Sequence, residues 1–228
     1  MLKPLISPLV LSAFAILIAP AEAANLQTTS FVDFSTRNPI PNSVATLTRT
    51  GNVLDFNLQA NGLQDGAYTI WWGVFNNPSA CTVPYLCTAA DDLNPSSASN
   101  SSVFRVSGGT VGVGGTTGNS TLAAFNATVQ VGTFPDPNAV RFGPGLLDPS
   151  GEIHPFIRYH GPVIPGQEIA QTTTFFGGCP PNNCNTIQEG VFASTSIPES
   201  SSVFGLLGFG LLGVGAILKR NLTCNHKK

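Results

Sequence analysis

The strongest constraint on the fold is an alternation of apolar and polar side chains in the first third of the chain. The alternation runs through most of Val44–Thr50 and of Val53–Gln59, which are separated by the turn pair at 51–52. Because successive strand residues point to opposite faces, this pattern predicts two antiparallel strands. Ala67–Phe75 follows a second turn at 64–66 and carries large residues at both parities. The three runs predict a meander whose third strand is central and buried on both faces.

The rest of the chain before residue 195 repeats this signal and shows no long amphipathic helix. Gly108–Gly118 does not fit a dinucleotide-binding loop, and we interpret it as a flexible hairpin connection. Many short strands with regular turns predict an all-β fold, an antiparallel β-sandwich of the immunoglobulin-like or superoxide-dismutase-like type. The further predicted strands are Ser102–Val106, Thr121–Val131, Glu152–Tyr159, Ala170–Phe176 and Gly190–Ser194.

The two ends of the chain carry apolar segments that predict export. Residues 1–23 combine a lysine, an apolar run and a small-x-small cleavage pattern, which is typical of a signal peptide rather than an N-terminal anchor. Val203–Leu218 is long enough to cross a bilayer, and Lys219 and Arg220 follow it directly. This pattern predicts a C-terminal transmembrane helix with its end in the cytoplasm. A buried core helix is the alternative interpretation.

These segments predict five regions along the chain. They are a signal peptide at 1–23, an exported domain at 24–194, a linker with a sorting motif at 195–202, a transmembrane helix with its basic stop at 203–220 and a cytoplasmic tail at 221–228.

The exported domain contains five arginines, ten acidic residues and no lysine. It offers no basic stripe for phosphate groups, so we do not expect nucleic-acid binding.

Four cysteines lie in the exported domain as two close pairs, Cys81 with Cys87 and Cys179 with Cys184. An even number of cysteines in an oxidising compartment is typical of disulfides. Four cysteines allow three pairings, of which we favour the two local loops. A metal site of four thiolates is the rival interpretation. Cys224 lies in the predicted cytoplasmic tail, where we expect a free thiol.

Candidate catalytic or metal-binding residues are few. Glu152 and His154 share one face of a predicted strand and would supply half of a metal or acid–base site. Our preferred interpretation is a cluster of charged neighbours at a surface or sheet edge. Asp91, Asp92 and Asp148 offer oxygen ligands for calcium but lack the spacing of a calcium loop. We interpret these three acids as solvated turn residues.

The C-terminal segment resembles the PEP-CTERM sorting signal of bacterial envelope proteins. That signal joins a Pro-Glu-Pro-like triplet, a membrane helix and a basic cluster. Pro198 and Glu199 match the start of the triplet, Ser200 stands where the second proline is usual, and Lys219 and Arg220 match the basic cluster. The resemblance implies processing near Pro198 by an exosortase, which is a membrane cysteine transpeptidase.

The exported domain resembles an uncharacterised family of exported bacterial β-sandwich proteins. The resemblance lies in Tyr68–Cys81, Gly145–Gly161 and Phe175–Cys184. Through its turn at Asn61–Gly66 the domain is more distantly similar to CHRD and copper–zinc superoxide dismutase domains. In the dismutase, the next strand carries a histidine pair that binds copper. That strand has no histidine here, so the resemblance does not extend to dismutase activity.

Together these observations predict a non-catalytic protein of the cell envelope or extracellular matrix, without a cofactor. Its expected partners are the membrane, an exosortase-type enzyme and an extracellular polysaccharide. A carbohydrate-binding or adhesive module and a metal-dependent enzyme using Glu152 and His154 are the two alternatives. A carbohydrate platform would need aromatic rings on one face. Trp71 and Trp72 are adjacent on a strand and face opposite ways, so core packing is the better interpretation of both.

Overall fold

Strands account for most of the structure, a computed structural model that describes residues 24–92, 98–112, 114–119, 122–134, 140–180 and 183–195. These residues all belong to one compact unit, Ala23–Glu199. The strands are β1 (Asn25–Asp33), β2 (Pro39–Thr50), β3 (Val53–Ala60), β4 (Gly66–Phe75), β5 (Ser101–Val111), β6 (Gly118–Asn119), β7 (Leu122–Gln130), β8 (Val140–Phe142), β9 (Glu152–Tyr159) and β10 (Asn185–Glu189), and the helices are α1 (Ala89–Asp92) and α2 (Glu168–Thr173), with a 3₁₀ turn at Pro78–Ala80.

Several sequence-based predictions lie outside the described residues. They are the signal peptide at 1–23, the sorting motif at Pro198 and Glu199, the transmembrane helix with its basic stop at 203–220, and the tail that contains Cys224. Within the described ranges, no helix combines the length and the apolar character needed to cross a membrane.

The predicted sandwich is wrong, because the strands form a single sheet that closes on itself. The hydrogen-bonded order is β4–β9–β10–β1–β2–β3–β7–β6–β5, and β5 pairs with β4 to complete the circle, while β8 adds to β5. Two short seams complete the closure. Val32 and Asp33 at the end of β1 pair with β10, and Gly118 and Asn119 of β6 join β5 to β7. The fold is therefore a closed barrel of nine strands.

Both seams depend on local backbone features that strand periodicity does not reveal. The register of β1 shifts between Ser30 and Val32, and beyond the shift Val32 pairs with Pro39 of β2 on one side and with β10 on the other. Such a bulge bends a strand and increases its twist. At the other seam Gly118 has φ of +126°, and a Cβ there would overlap the carbonyl oxygen of Leu122. Glycine is the residue that fits this position without strain.

The predicted hairpin of β2 and β3 is confirmed, but the three-strand meander is wrong. Thr50 lies opposite Val53 at the turn, and β3 then pairs along its whole length with β7. Asn61 donates from its side chain to Pro41 O, and its backbone N–H donates to Ser43 Oγ, which ties the end of β3 back to β2. From this point the chain crosses to the opposite side of the barrel, where β4 lies between β5 and β9.

The prediction of a central strand buried on both faces is confirmed for β4, whose ten residues are all buried. Tyr68, Ile70, Trp72 and Val74 point into the barrel and form part of its core. Trp72 packs edge-on against Phe56, with the ring centroids 5.5 Å apart. The alternate residues of β4 point outward and are covered by loops rather than by solvent.

Three of the predicted elements differ from the structure. The sequence predicts a strand over Ala170–Phe176, but α2 occupies Glu168–Thr173. The threonine hydroxyls of this segment donate to carbonyl oxygens one turn earlier, an arrangement that accommodates β-branched residues in a short helix. The last strand lies at Asn185–Glu189 instead of Gly190–Ser194, where Phe192 makes an isolated bridge. The glycines at 108 and 109 belong to β5 and not to a flexible loop.

Candidate functional site

The outward face of β4 lies beneath two disulfide-closed loops. Phe75 contacts the Cys81–Cys87 disulfide, and Trp71 meets Phe175 edge-on at 5.0 Å, at the start of the segment that leads to the Cys179–Cys184 disulfide. The local pairing predicted from the sequence is confirmed by both bonds. The rival site of four thiolates is excluded in this state, because each of these sulfurs is already bonded to another sulfur.

Asp91 ties together the two ends of the first loop next to its disulfide. Its Oδ1 accepts hydrogen bonds from the N–H and hydroxyl of Thr82, and its Oδ2 accepts the corresponding pair from Thr88. Burial raises the pKa of Asp91, but these hydrogen bonds lower it to about 2. Asp91 is only 7% exposed, so the interpretation as a solvated turn residue is wrong. Asp148 does form a turn, since its Oδ1 accepts from the N–H and hydroxyl of Ser150.

Glu152 and His154 are neighbours, as predicted, but they do not lie at a sheet edge. Strand β9 is paired on both sides, and Glu152 is buried beneath the first loop. Its Oε1 accepts hydrogen bonds from His154 Nε2 at 2.7 Å and from the N–H of Cys87 at 3.0 Å. No third histidine, cysteine or carboxylate among the described residues joins the pair to form a metal-binding group. The contact with Cys87 gives Glu152 a role in positioning the loop.

The second loop is anchored by His160, which is fully buried. Its Nδ1 lies 2.8 Å from Gly177 O, and because a carbonyl oxygen only accepts, Nδ1 carries the proton. Its Nε2 lies 2.7 Å from Thr69 Oγ1, which also accepts from Trp71 Nε1. The threonine hydroxyl can therefore donate to an unprotonated Nε2. Burial lowers the pKa of His160, the hydrogen bond to Gly177 opposes this shift, and neighbouring Arg158 adds to it.

His160, Cys179 and Cys184 lie close together and offer three possible metal ligands. Their nitrogen and sulfur atoms are all within 4.8 Å of one another, and Cys184 Sγ lies 3.6 Å from His160 Nδ1. Metal ligation needs cysteine thiolates and an unprotonated imidazole nitrogen. Here both sulfurs are in a disulfide and Nδ1 donates to a carbonyl. The oxidised group is a structural contact.

Helix α2, which precedes the second loop, is fixed by Gln171 and by its close approach to β5. Gln171 is fully buried, its Oε1 accepts from the N–H of Ile164, and its Nε2 donates to Pro162 O and His160 O. The helix lies so close to β5 that a Cβ at Gly108 would overlap the carbonyl oxygen of Thr172. Glycine at this position permits the close approach.

Two arginines and two phenylalanines lie in contact beside the second loop. We name them the arginine–phenylalanine cluster: Arg141, Arg158, Phe175 and Phe176. The guanidinium carbons of Arg158 and Arg141 lie 4.0 Å and 4.4 Å from the centre of the Phe175 ring. Arg141 also lies 5.0 Å from the Phe176 ring. Burial and the charge of Arg141 lower the pKa of Arg158 to about 10. Two cations therefore share one aromatic ring.

Sequence reasoning found some of these groups and missed others. It predicted that Trp71 and Trp72 pack in the core, and both are buried. It did not single out Arg141 or Phe176, which lie far from Arg158 in the chain. The sequence signal was the bias to arginine over lysine, since guanidinium groups stack on aromatic rings more readily than ammonium groups.

Comparisons with protein-family models, with curated proteins and with solved structures gave no match. The function is therefore argued from the residues of this chain.

Proposed function

We propose that the protein is an exported, non-catalytic component of the cell envelope or extracellular matrix, anchored by its apolar C-terminal segment and released by exosortase-type processing near Pro198. The observation that carries this proposal is the pair of disulfides over the outward face of β4. Structural disulfides persist in oxidising compartments and are rare in the cytoplasm. Export is also supported by the apolar segments at residues 1–23 and 203–218.

A non-catalytic role is supported by how the buried polar side chains are used. Asp91 accepts four hydrogen bonds from one loop, His160 binds Gly177 O of the other, and Gln171 binds backbone groups at 160–164. Catalytic acids, bases and nucleophiles instead converge on a space that a reacting atom can occupy. Asp91, Gln171 and His160 instead bind loop and backbone groups of their own chain, which fits a structural protein that must stay folded outside the cell.

The state of the thiols tests the proposal. The sequence contains five cysteines, so a chain retained in the cytoplasm should react with five equivalents of a maleimide under denaturing, non-reducing conditions. An exported but uncut chain should react only at Cys224, and a chain cut near Pro198 should not react. A version lacking residues 2–23 provides the matched cytoplasmic control. Five reactive thiols in the complete chain, recovered from the cytoplasmic fraction, would overturn the proposal.

A further inference from the structure

We propose that the arginine–phenylalanine cluster binds the carboxylate groups of an acidic polysaccharide. The choice of a polysaccharide rests on the proposed envelope function, whereas the preference for an anion rests on the geometry of the cluster. Three features carry the inference: a buried cation without a carboxylate partner among the described residues, a second and exposed cation beside it, and an exposed aromatic ring.

The first feature is Arg158, which is only 8% exposed. Its Nε donates to Phe175 O at 2.7 Å and its Nη2 donates to Cys184 O at 3.2 Å. These bonds use two of the five N–H groups of a guanidinium. The ion pairs found among the described residues are Arg37 with Glu189 and His154 with Glu152, so no described carboxylate pairs with Arg158. Buried charges are normally paired, and a bound anion would supply the missing partner.

The second feature is Arg141, which is exposed on the short strand β8. Its guanidinium stacks on the ring of Phe175 beside that of Arg158. A stacked guanidinium uses its flat face for the ring and keeps its edge N–H groups free to bind a carboxylate in two places. Two like charges on one ring repel each other, and an anion between or beside them would relieve that repulsion.

The third feature is Phe176, whose side chain is 58% exposed although it stands against Phe175 at 4.9 Å. An exposed ring next to a guanidinium suits a sugar acid, because a pyranose ring has an apolar face and a uronic acid carries its carboxylate at the ring edge. The backbone that presents this ring is fixed by the Cys179–Cys184 disulfide and by the hydrogen bond between His160 and Gly177. The site is therefore held in place before any ligand arrives, which limits the entropy lost on binding.

The net charge of the exported domain favours an acidic polysaccharide over a nucleic acid as the ligand of the cluster. The exported domain has ten acidic residues against five arginines, so a dense polyanion meets net repulsion away from the cluster. Duplex DNA carries a charge about every 1.7 Å of its axis, whereas a uronic acid polymer carries one per sugar. Two arginines fit the sparser polymer.

Binding to immobilised polygalacturonate, measured by interferometry with the full chain in a non-ionic detergent, tests the inference. Fully methyl-esterified polygalacturonate keeps the sugar rings and removes the charge, and a DNA duplex of similar length keeps the charge and removes the rings. We expect binding to the acidic polymer, at least about tenfold weaker binding to the ester, and no stronger binding to DNA than to the ester.

Arg141→Gln and Phe176→Ala are the test variants, because both side chains are exposed and neither substitution should unfold the chain. Arg37→Gln is the matched control, since Arg37 is an exposed arginine elsewhere on the surface that pairs with Glu189. Arg141→Gln should weaken binding about tenfold, and the control should change it less than about twofold. Phe176→Ala should weaken binding about threefold through the lost ring contact.

Equal binding to the acidic polymer and its ester, equal binding to DNA, or equal effects of Arg141→Gln and Arg37→Gln would each overturn the inference. The failure of the envelope proposal is distinguishable from these results. If the protein has oxidised cysteines but does not bind the acidic polymer, the polysaccharide site alone is overturned. If the protein binds the polymer but its cysteines are reduced in the host, the envelope role alone is overturned.

Discussion

Replacing Asp91 with asparagine should destabilise the protein, because both oxygens of the carboxylate are fully used. Oδ1 accepts two hydrogen bonds from Thr82, and Oδ2 accepts two from Thr88. Asparagine keeps one oxygen and places an NH₂ group where the other stood, so a backbone N–H then faces another donor and the threonine hydroxyl must turn to accept instead. Thr82 follows Cys81 and Thr88 follows Cys87, so the substitution opens one side of the loop that the disulfide closes.

Two estimates of the cost agree. Leaving buried donors without an acceptor costs about 1 to 3 kcal/mol. Burial raises the pKa of Asp91, but the hydrogen bonds lower it from 3.8 to about 2. This difference corresponds to about 2 kcal/mol, which screening by solvent around the loop reduces to roughly 1 to 2 kcal/mol. We therefore expect Asp91→Asn to lower the free energy of unfolding by about 2 kcal/mol.

Urea unfolding of the oxidised protein, followed by tryptophan fluorescence, measures this loss, because Trp71 and Trp72 are both buried in the fold. Asp55→Asn is the control, since exposed Asp55 accepts a single side-chain hydrogen bond, from Thr128. The control should change stability by less than about 0.5 kcal/mol.

The pH dependence of the loss provides a second check. The native pKa of Asp91 is the depressed one, so the stability that its charge contributes is complete at pH 7 and is lost as the pH falls from about 4 to about 2. The difference between wild type and Asp91→Asn should shrink over that range. A loss below about 0.5 kcal/mol at pH 7, or a difference that does not vary with pH, would refute the reasoning.

Three further predictions concern the second loop and its anchors. Burial lowers the pKa of His160, so below about pH 6.5 the unfolded chain takes up a proton that the native state resists, and the free energy of unfolding should fall from pH 7 to pH 5. His160→Gln should reduce this pH dependence in urea titrations, and an unchanged dependence would contradict the buried, unprotonated state of His160. Gly108→Ala should cost about 1 to 3 kcal/mol, since the new methyl group would overlap Thr172 O, and α2 amides should then exchange faster with deuterium. Replacing Cys179 and Cys184 together with serine should cost about 2 kcal/mol in thermal unfolding, and no change would contradict a structural role.

The local elements of the fold could be predicted from the sequence wherever one periodicity dominates. Val53–Gln59 alternates over most of its length, Glu152–Tyr159 alternates except at Phe156, and each matches a strand of the structure to within a residue. Ala170–Phe176 has the composition of a strand but forms a helix, because its threonines satisfy carbonyl oxygens within the helix and Gln171 is held by backbone groups of another segment. Tertiary contacts of this kind have no signature in a local window.

The closure of the sheet could not be predicted, because it depends on very short pairings. Strand β6 contains two residues, and the end of β1 contributes two more to its seam with β10. A two-residue strand has no measurable periodicity. For the site, the close cysteine spacings predicted both disulfides, but the cluster unites Arg141, Arg158 and Phe176 from separate elements. The pairing of β8 with β5, the register of β9 against β4 and the path of the loop after α2 together bring them into contact.

The intact mass of the protein from the envelope and medium of its native host tests the central claim most directly, when measured before and after reduction. An exported and sorted protein should begin at Ala24, end near Pro198 and gain about four protons on reduction, which corresponds to two disulfides. A mass of the complete 228-residue chain that does not change on reduction would contradict export, sorting and oxidation together.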